Sequence, residues 1–262
     1  MSSRPTATEA LAESPATSAL ILDFDGVLAP IVADPATSAM PGRVTAVLAR
    51  LAGPLGLLAV ISGRPVDFLA DRVRVPGVRL LGSYGMEQIH DGILQMVPEV
   101  SPWLGPVREA GRTLTRLLDG SPGLRVEEKS VSVAVHWRQA PDQAAAASEV
   151  RRVTARIAAE TGLRLEPGKL VEELRPPVAV DKGSAVSALL AGEENLATVA
   201  YAGDDLGDIP ALRAVREAGG YALVVDHGPE TDARLLALAD QTYAGTDEFA
   251  SWLAGLADAI YA

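Results

Sequence analysis

Ala19-Leu20-Ile21-Leu22-Asp23-Phe24-Asp25-Gly26-Val27-Leu28-Ala29-Pro30 passes from an apolar run into two aspartates two positions apart, followed by a glycine. An apolar run stopped by a turn signal fits a buried strand. Asp23 then falls at the strand's C-terminal end, where open α/β sheets place their ligands. In extended geometry Asp23 and Asp25 project to the same side. Two like charges held that close are costly unless a cation or a proton intervenes. Asp-x-Asp alone is also what a strand ending in a solvated acidic turn looks like, so the other strand ends have to decide.

The chain's 262 residues suffice for one large domain or two modest ones. Apolar residues at 48% and charged residues at 22% are ordinary for a soluble globular protein. A net charge of −11 argues against nucleic acid or an anionic membrane as partner, since both need basic surface. The absence of cysteine excludes disulfides and thiolate metal sites. His90, His136 and His227 lie far apart, which argues against a histidine-rich zinc site. Residues 1–18 are rich in Ser, Thr, Ala and Pro and read as a disordered leader, not a signal peptide, and no run reaches membrane-spanning length. A cytoplasmic monomer is expected. Of 23 basic residues only Lys129, Lys169 and Lys182 are lysine, a scarcity that suits places needing a compact, flexible ammonium or chance placement alike.

Outward from the first strand, Pro41 to Gly53 reads as a helix with Val44, Val47, Leu48 and Leu51 on one face. Leu57 to Ile61 is a second apolar strand, stopped by Ser62-Gly63-Arg64-Pro65, and Pro65 suits the first turn of a helix to about Arg72. Val78 to Leu81 is a third strand, ending in Gly82-Ser83-Tyr84-Gly85. Strand and helix in alternation predict a parallel sheet wound with helices.

Between about Pro98 and Pro177 the pattern becomes αββαββ: a helix over 102–119, strands over 124–128 and 131–138, a helix over 141–161, and strands over 163–166 and 169–175. Tight turns between neighbouring strands predict antiparallel pairing. Val131, Val133, Val135 and Trp137 alternate with Ser132, Ala134, His136 and Arg138, which predicts one packed and one wet face. The wet face gathers Arg125, Glu127, Lys129, His136, Arg138, Lys169, Glu173 and Arg175; it suits either a solvated surface or one that reads a polyol. The α/β pattern returns at Asp181-Lys182-Gly183, which opens a helix through Leu190. A strand over 196–202 ends in Gly203-Asp204-Asp205-Leu206-Gly207-Asp208, followed by a helix over 210–217, a strand over 220–225, and helices over 229–240 and 247–259. The predicted organisation is a core of residues 19–98 and 178–262, interrupted by an inserted domain of residues 99–177. Two short chain crossings also predict that the inserted domain closes as a rigid body.

Four strand ends are therefore polar, and in a parallel sheet they lie along one edge. Asp23, Asp25, Asp204, Asp205 and Asp208 cannot all stay ionised there without a compensating cation. Oxygen donors with no soft ligand point to Mg²⁺. Ser62 and Gly63 precede a helix, offering a hydroxyl and free N–H groups as a phosphate seat. Lys182 can bring a point charge to that phosphate.

Asp-x-Asp-Gly, then Ser, then Lys, then Gly-Asp-Asp-x-x-Asp, in this order, resembles the haloacid-dehalogenase-like (HAD) phosphatases, and the insert resembles their large α/β (C2-type) cap. Beyond the leader the chain is more closely similar to the trehalose-6-phosphate phosphatase family. The similarity is carried by residues 22–31, Val60-Ile-Ser-Gly-Arg-Pro65, Gly82-Ser-Tyr-Gly-Met-Glu87, Val126-Glu-Glu-Lys129 with His136-Trp-Arg138, and Gly168 to Pro176 leading into Asp181-Lys-Gly183. That resemblance implies a HAD-like Rossmannoid core and a Mg²⁺-dependent phosphatase acting through an aspartyl-phosphate. It implies Asp23 as nucleophile and Asp25 as the carboxyl that protonates the leaving sugar and then activates water. It implies Mg²⁺ on Asp23, the Asp25 carbonyl and Asp204, supported by Asp205 and Asp208. Ser62, Gly63, Arg64 and Lys182 are the implied phosphate-binding set. Glu127, Lys129, Lys169 and Glu173 lead the implied sugar readers, with His136, Arg138 and Arg175 beside them.

The sequence departs from the family pattern at two places. Val27 stands where threonine is usual, and Leu206-Gly207-Asp208-Ile209-Pro210 replaces the usual Thr-containing acidic run. Sucrose phosphate and mannosyl-3-phosphoglycerate stay open as substrates. A non-catalytic sugar-phosphate-binding protein is disfavoured by the presence of Asp23, Asp25 and Lys182 together.

Overall fold

A computed structural model describes residues 4–32, 34–168 and 170–262. Two compact units emerge, one of residues 1–95 and 180–262, the other of residues 96–179.

In the first unit the elements run α1 (Ala7–Glu13), β1 (Ser18–Leu22), α2 (Gly42–Leu51), β2 (Leu57–Ile61), α3 (Val66–Arg72), β3 (Val78–Gly82), β4 (Glu87–His90) and β5 (Ile93–Met96, whose last residue is assigned to the second unit). After the second unit come α6 (Lys182–Ala191), β10 (Thr198–Gly203), α7 (Ile209–Glu217), β11 (Tyr221–Asp226), α8 (Ala233–Leu236), β12 (Gln241–Ala244) and α9 (Gly245–Ile260). The sheet order is β12-β11-β10-β1-β2-β3-β4-β5, parallel from β12 to β3, with β4 antiparallel to β3. The predicted parallel sheet therefore holds, with β1 at its centre between β10 and β2.

A central strand must be apolar on both faces, and β1 is buried at every position. Its alternate side chains serve two layers. Leu20 and Leu22 pack with Leu11 of α1, Leu48 of α2, Leu69 of α3 and Leu253 of α9. Ala19 and Ile21 pack with Val186 and Leu189 of α6, Leu212 and Val215 of α7 and Leu235 of α8. This arrangement fixes where β1, β2, β3 and β10 end, and hence where the polar strand ends meet.

Two expectations need correction, and one hairpin carried no expectation. Over its described residues, 4–18, the predicted leader is ordered: Thr6 and Glu9 form a reciprocal capping box for α1. Leu11 is fully buried, the Trp252 indole donates to the Thr8 hydroxyl at 2.8 Å, and Arg4 donates to the Gly220 carbonyl at 2.6 Å. Composition alone concealed one apolar contact and one cap. The stretch after Gly85 is a hairpin, β4–β5, turning at Asp91 (φ 51°) and Gly92 (φ 75°), the Asp-Gly turn that suits two antiparallel strands. The helix predicted over 229–240 is broken: Asp232 caps the four-residue α8, and the chain then enters β12, which pairs parallel with β11.

The second unit runs α4 (Leu104–Leu117), β6 (Arg125–Glu128), β7 (Val133–His136), α5 (Gln143–Thr161), β8 (Arg164–Gly168) and β9 (Val171–Arg175), the predicted αββαββ order. Its antiparallel sheet has the order β6-β7-β9-β8. Val133, Val135, Trp137 and Leu174 pack with Val107 and Leu114 of α4 and Val150, Val153 and Ile157 of α5, all buried. Among the described residues no helix is long and apolar enough to cross a membrane.

Candidate active site

Asp23 directly follows β1, and its N–H donates to the Ala202 carbonyl at 2.9 Å, which extends the β1–β10 ladder by one rung. Its side chain is buried and ion-paired with Lys182, Nζ to Oδ1 at 2.9 Å. Lys182 opens α6 behind an Asp181 cap and reaches Asp208 Oδ1 at 2.7 Å. Gly183 lets α6 approach α7 so closely, since a Cβ there would lie 2.6 Å from the Pro210 carbonyl oxygen.

Asp208 is the hub of this array. Its Oδ1 also accepts from the Tyr201 hydroxyl, and its Oδ2 accepts from the N–H groups of Asp204 and Asp205 at 2.9 and 3.1 Å. With both oxygens so engaged, Asp208 orients the loop after β10. One oxygen each of Asp23, Asp204 and Asp208 lie within 4.8 Å of one another.

Burial pushes Asp23 well above the usual carboxylate range, opposed by Lys182. Burial, then Asp208 and Asp205, raises Asp204 to about 8. For Lys182 burial acts downward, but Asp208 and Asp23 prevail and hold it well above its ordinary value. Asp208 is likewise opposed by burial yet held low by Lys182 and Tyr201. Lys182 and Asp208 thus form the ionised pair, while Asp23 and Asp204 are acids short of positive charge. An all-oxygen donor set short of positive charge suits a hard divalent cation.

Glycine is demanded beside these acids. Gly26 has φ 78°, and a Cβ there would lie 2.0 Å from Asp204 Oδ2. The His227 ring nitrogen Nε2 sits 2.9 Å from the Gly26 carbonyl and 3.5 Å from Asp204 Oδ2. A cavity of about 410 Å³ opens beside Asp204 and Asp205, walled by Ile31, Leu206, His227 and Pro229.

Ser62 is buried at the end of β2, its N–H bonded to the Leu81 carbonyl at 3.0 Å and its Oγ accepting from the Arg64 N–H at 3.2 Å. The loop after β3 clamps this seat: Ser83 N–H donates to the Arg64 carbonyl at 2.7 Å and Tyr84 N–H to the Ser62 carbonyl at 2.9 Å. Ser83 and Tyr84 both have positive φ, an arrangement stabilised by the Ser83 hydroxyl bonding to buried Glu87 at 2.8 Å. Glu87 also accepts from the Val66 N–H at the start of α3, at 2.9 Å. The Arg64 side chain turns to Asp25, which it meets through Nε at 2.7 Å and Nη2 at 3.2 Å, while the Ser38 hydroxyl donates to Asp25 at 2.6 Å.

The second unit holds the other predicted residues. His136 Nε2 lies 2.6 Å from Glu127 Oε2, and that hydrogen bond lowers Glu127 to about 2. Lys129 Nζ donates to Glu173 Oε1 at 3.0 Å, and the same oxygen accepts from Ser132 Oγ. Arg125 is exposed, 3.7 Å from Glu127, and Arg138 is exposed beyond the end of β7. Arg175 is buried, with Glu166 at 3.7 Å, so it is not displayed on the open face as predicted. Lys169 lies outside the described residues.

Sequence reasoning missed Ser38, Tyr201 and His227. For His227 a signal existed: it follows the apolar run 221–225, a fifth strand end on the same edge. Ser38 and Tyr201 carried none, one lying in an irregular loop and the other inside a strand.

The model of the trehalose-phosphatase family matches residues 21–240. The chain is 34% identical over 230 residues to the trehalose-phosphate phosphatase of Mycobacterium avium, covering 84% of this chain and 57% of that protein. It is 30% identical over 242 residues to trehalose 6-phosphate phosphatase RA3 of Zea mays, covering 84% of this chain and 66% of that protein. An uncharacterized glycosyl hydrolase of Mycobacterium tuberculosis is 35% identical over 225 residues, 82% of this chain but 16% of that protein. The chain thus spans only part of the length of these relatives. Among solved structures, a trehalose-6-phosphate phosphatase related protein superposes with a TM-score of 0.77 at 22% identity, covering 92% of this chain and 97% of the other. The C-terminal domain of the Candida albicans trehalose-6-phosphate phosphatase superposes with a TM-score of 0.71 at 23% identity, covering 96% and 95%.

Proposed function

The chain belongs to the trehalose-phosphatase family, and from that premise we propose that it hydrolyses trehalose 6-phosphate to trehalose and phosphate through an aspartyl-phosphate on Asp23. The observation that carries this reading is the buried Asp23–Lys182–Asp208 array with Asp204 beside it. Such a concentration of buried charge costs stability, and groups perturbed in this way cluster at functional sites.

Asp23 attacks phosphorus, and the bond from phosphorus to the sugar oxygen breaks. Asp25 gives its proton to that oxygen; it then takes a proton from the water that attacks the phosphoryl group and releases Asp23. An ammonium has three donors. Lys182 donates one to Asp208 and lies in ion-pair contact with Asp23, whose buried Oδ1 accepts no hydrogen bond among the described residues, leaving donors for a phosphoryl oxygen. Ser62 and the Gly63 N–H complete the phosphate seat; Arg64, expected there from the sequence, is instead engaged by Asp25 through its side chain and by Ser62 Oγ through its N–H. Asp23, Asp204 and the Asp25 carbonyl would hold Mg²⁺, with Asp205 and Asp208 in support. That ion supplies positive charge between an anionic nucleophile and an anionic phosphate. In the second unit Glu127, Lys129, Lys169 and Glu173 are the principal sugar readers, with His136 and Arg138 beside them. Carboxylates and ammonium groups that already exchange hydrogen bonds can redirect them to sugar hydroxyls.

The test is phosphate release from trehalose 6-phosphate, sucrose phosphate and mannosyl-3-phosphoglycerate, with Mg²⁺ and with chelator. Trehalose 6-phosphate should turn over fastest and only with Mg²⁺. Faster turnover of either other sugar phosphate would overturn the substrate assignment.

A further inference from the structure

Asp25 is held by more contacts than a freely rotating acid would have. Oδ1 accepts from Ser38 Oγ at 2.6 Å and Arg64 Nη2 at 3.2 Å, while Oδ2 accepts from Arg64 Nε at 2.7 Å. Rotation about the Cβ–Cγ bond would break all three bonds at once.

Each partner is itself fixed. The Arg64 guanidinium lies 4.6 Å from the Phe68 ring centroid, and Phe68 packs edge-on against Phe24 at 5.9 Å. The backbone of Arg64 is held at both ends, its N–H to Ser62 Oγ and its carbonyl from Ser83 N–H. The loop that carries Ser38 is tied down by Arg72, which donates to the Ser38 carbonyl at 2.7 Å and the Ala36 carbonyl at 2.8 Å. Arg72 also covers Phe68, its guanidinium carbon 3.5 Å from the ring centroid. Helix α3 thus delivers Phe68 and Arg72 to a common task, and Arg64, just before it, presents one guanidinium edge to a carboxyl in the fork geometry that arginine favours.

We propose that Arg64, with Ser38, is a positioning residue that aims the carboxyl of Asp25 at the leaving-group oxygen. This inference rests on the acid–base role proposed above for Asp25. Oδ2 has one contact where Oδ1 has two, so Oδ2 is the oxygen that exchanges the proton. In the first step that proton passes to the bridging oxygen as its bond to phosphorus breaks. In the second, the attacking water returns a proton to the same oxygen as the Asp23–phosphorus bond breaks. Proton transfer depends on hydrogen-bond geometry, so an acid free to rotate loses rate without losing chemistry.

Leaving-group dependence separates this role from phosphate binding. A sugar alkoxide must be protonated as it leaves, whereas a nitrophenolate leaves without help. The quantity to follow is kcat/KM, which ends at transfer of the phosphoryl group to Asp23, for the full chain with Mg²⁺ on trehalose 6-phosphate and on p-nitrophenyl phosphate. Arg64→Ala should lower kcat/KM on trehalose 6-phosphate on the order of 10²-fold and on the aryl ester less than about 3-fold. Arg64→Lys, which keeps the charge without the fork, should shift the ratio in the same direction by less. Should Arg64→Ala fail to fold, Ser38→Ala reads the same ratio with a loss of about 5-fold on the sugar ester alone. Equal losses on both esters would make Arg64 a phosphate ligand or a purely structural residue and overturn the inference, as would no loss on either. Asp25→Asn separates the two layers. If it favours the aryl ester while the Arg64 and Ser38 variants do not, only the positioning role fails. If Asp25→Asn itself affects both esters equally, the acid role of Asp25 fails and the positioning role with it.

Discussion

Two lysine–carboxylate pairs, one in each unit, share a chemistry and differ in surroundings. Lys182 and Asp208 meet at 2.7 Å with side chains 3% and 0% exposed; Lys129 and Glu173 meet at 3.0 Å with side chains 14% and 21% exposed. The first pair sits among Asp23, Asp204 and the Tyr201 hydroxyl, fixed by Gly183 beneath it and the loop amides around Asp208. It has no access to bulk water and little freedom, as preorganised electrostatic catalysis requires. The second pair lies on a sheet face beside Ser132 and the Glu127–His136 pair. Water or sugar hydroxyls can replace its bonds at small cost. On the roles proposed above, burial would separate charges that act on a reacting group from charges that recognise a ligand.

The largest effect is expected from Lys182→Met. That change leaves Asp208 and Asp23 without their cation and should cost about 3–5 kcal/mol in urea unfolding together with all measurable turnover. A loss below about 1 kcal/mol would make the buried pair no different from a surface one.

Lys129→Met should cost no more than about 1 kcal/mol of stability, yet raise KM for trehalose 6-phosphate about 10-fold, equivalent to roughly 1.4 kcal/mol. A large loss of stability with an unchanged KM would assign this face to structure alone.

The smallest effect is pH-dependent. Glu127 is held down to about 2 by His136, against 4.5 ordinarily. A depressed carboxylate contributes stability that is present above the unfolded value and lost as pH falls through the folded one. Wild type should therefore lose about 1 kcal/mol more than Glu127→Gln between pH 4.5 and 2, after allowance for solvent screening of a half-exposed group. Parallel acid-unfolding curves would show that the pair contributes nothing to stability.

What the sequence reveals of this molecule follows the strength of its periodic signals. The runs 19–22 and 57–61 are apolar at almost every position because their strands are covered on both faces, and each ends in an abrupt polar turn; β1 and β2 are legible for that reason. The insert is legible from the alternation of Val131, Val133, Val135 and Trp137. Gln241–Ala244 is too short to announce a strand, and its pairing depends on Tyr221–Asp226 beside it. Helix α1 is short, and Thr8 within it and Arg4 ahead of it are held by residues more than 200 positions away, Trp252 and Gly220.

The candidate site divides in the same way. Asp23, Ser62, Lys182 and Asp204 stand at strand ends or helix starts, where spacing and residue type are visible in the chain. Ser38, Tyr201 and His227 reach the site only through tertiary packing. The direction of a long side chain is equally invisible: nothing in Ser-Gly-Arg-Pro indicates that Arg64 turns toward Asp25.

The role of Asp23 as carrier of the phosphoryl group is open to measurement of phosphate release from trehalose 6-phosphate with Mg²⁺ by wild type and Asp23→Asn, with unfolding curves to show that both are folded. With Asp23 as nucleophile, wild type should show sustained release and the variant a fall on the order of 10⁴-fold or more. Release by folded Asp23→Asn at a rate near that of wild type would contradict that role.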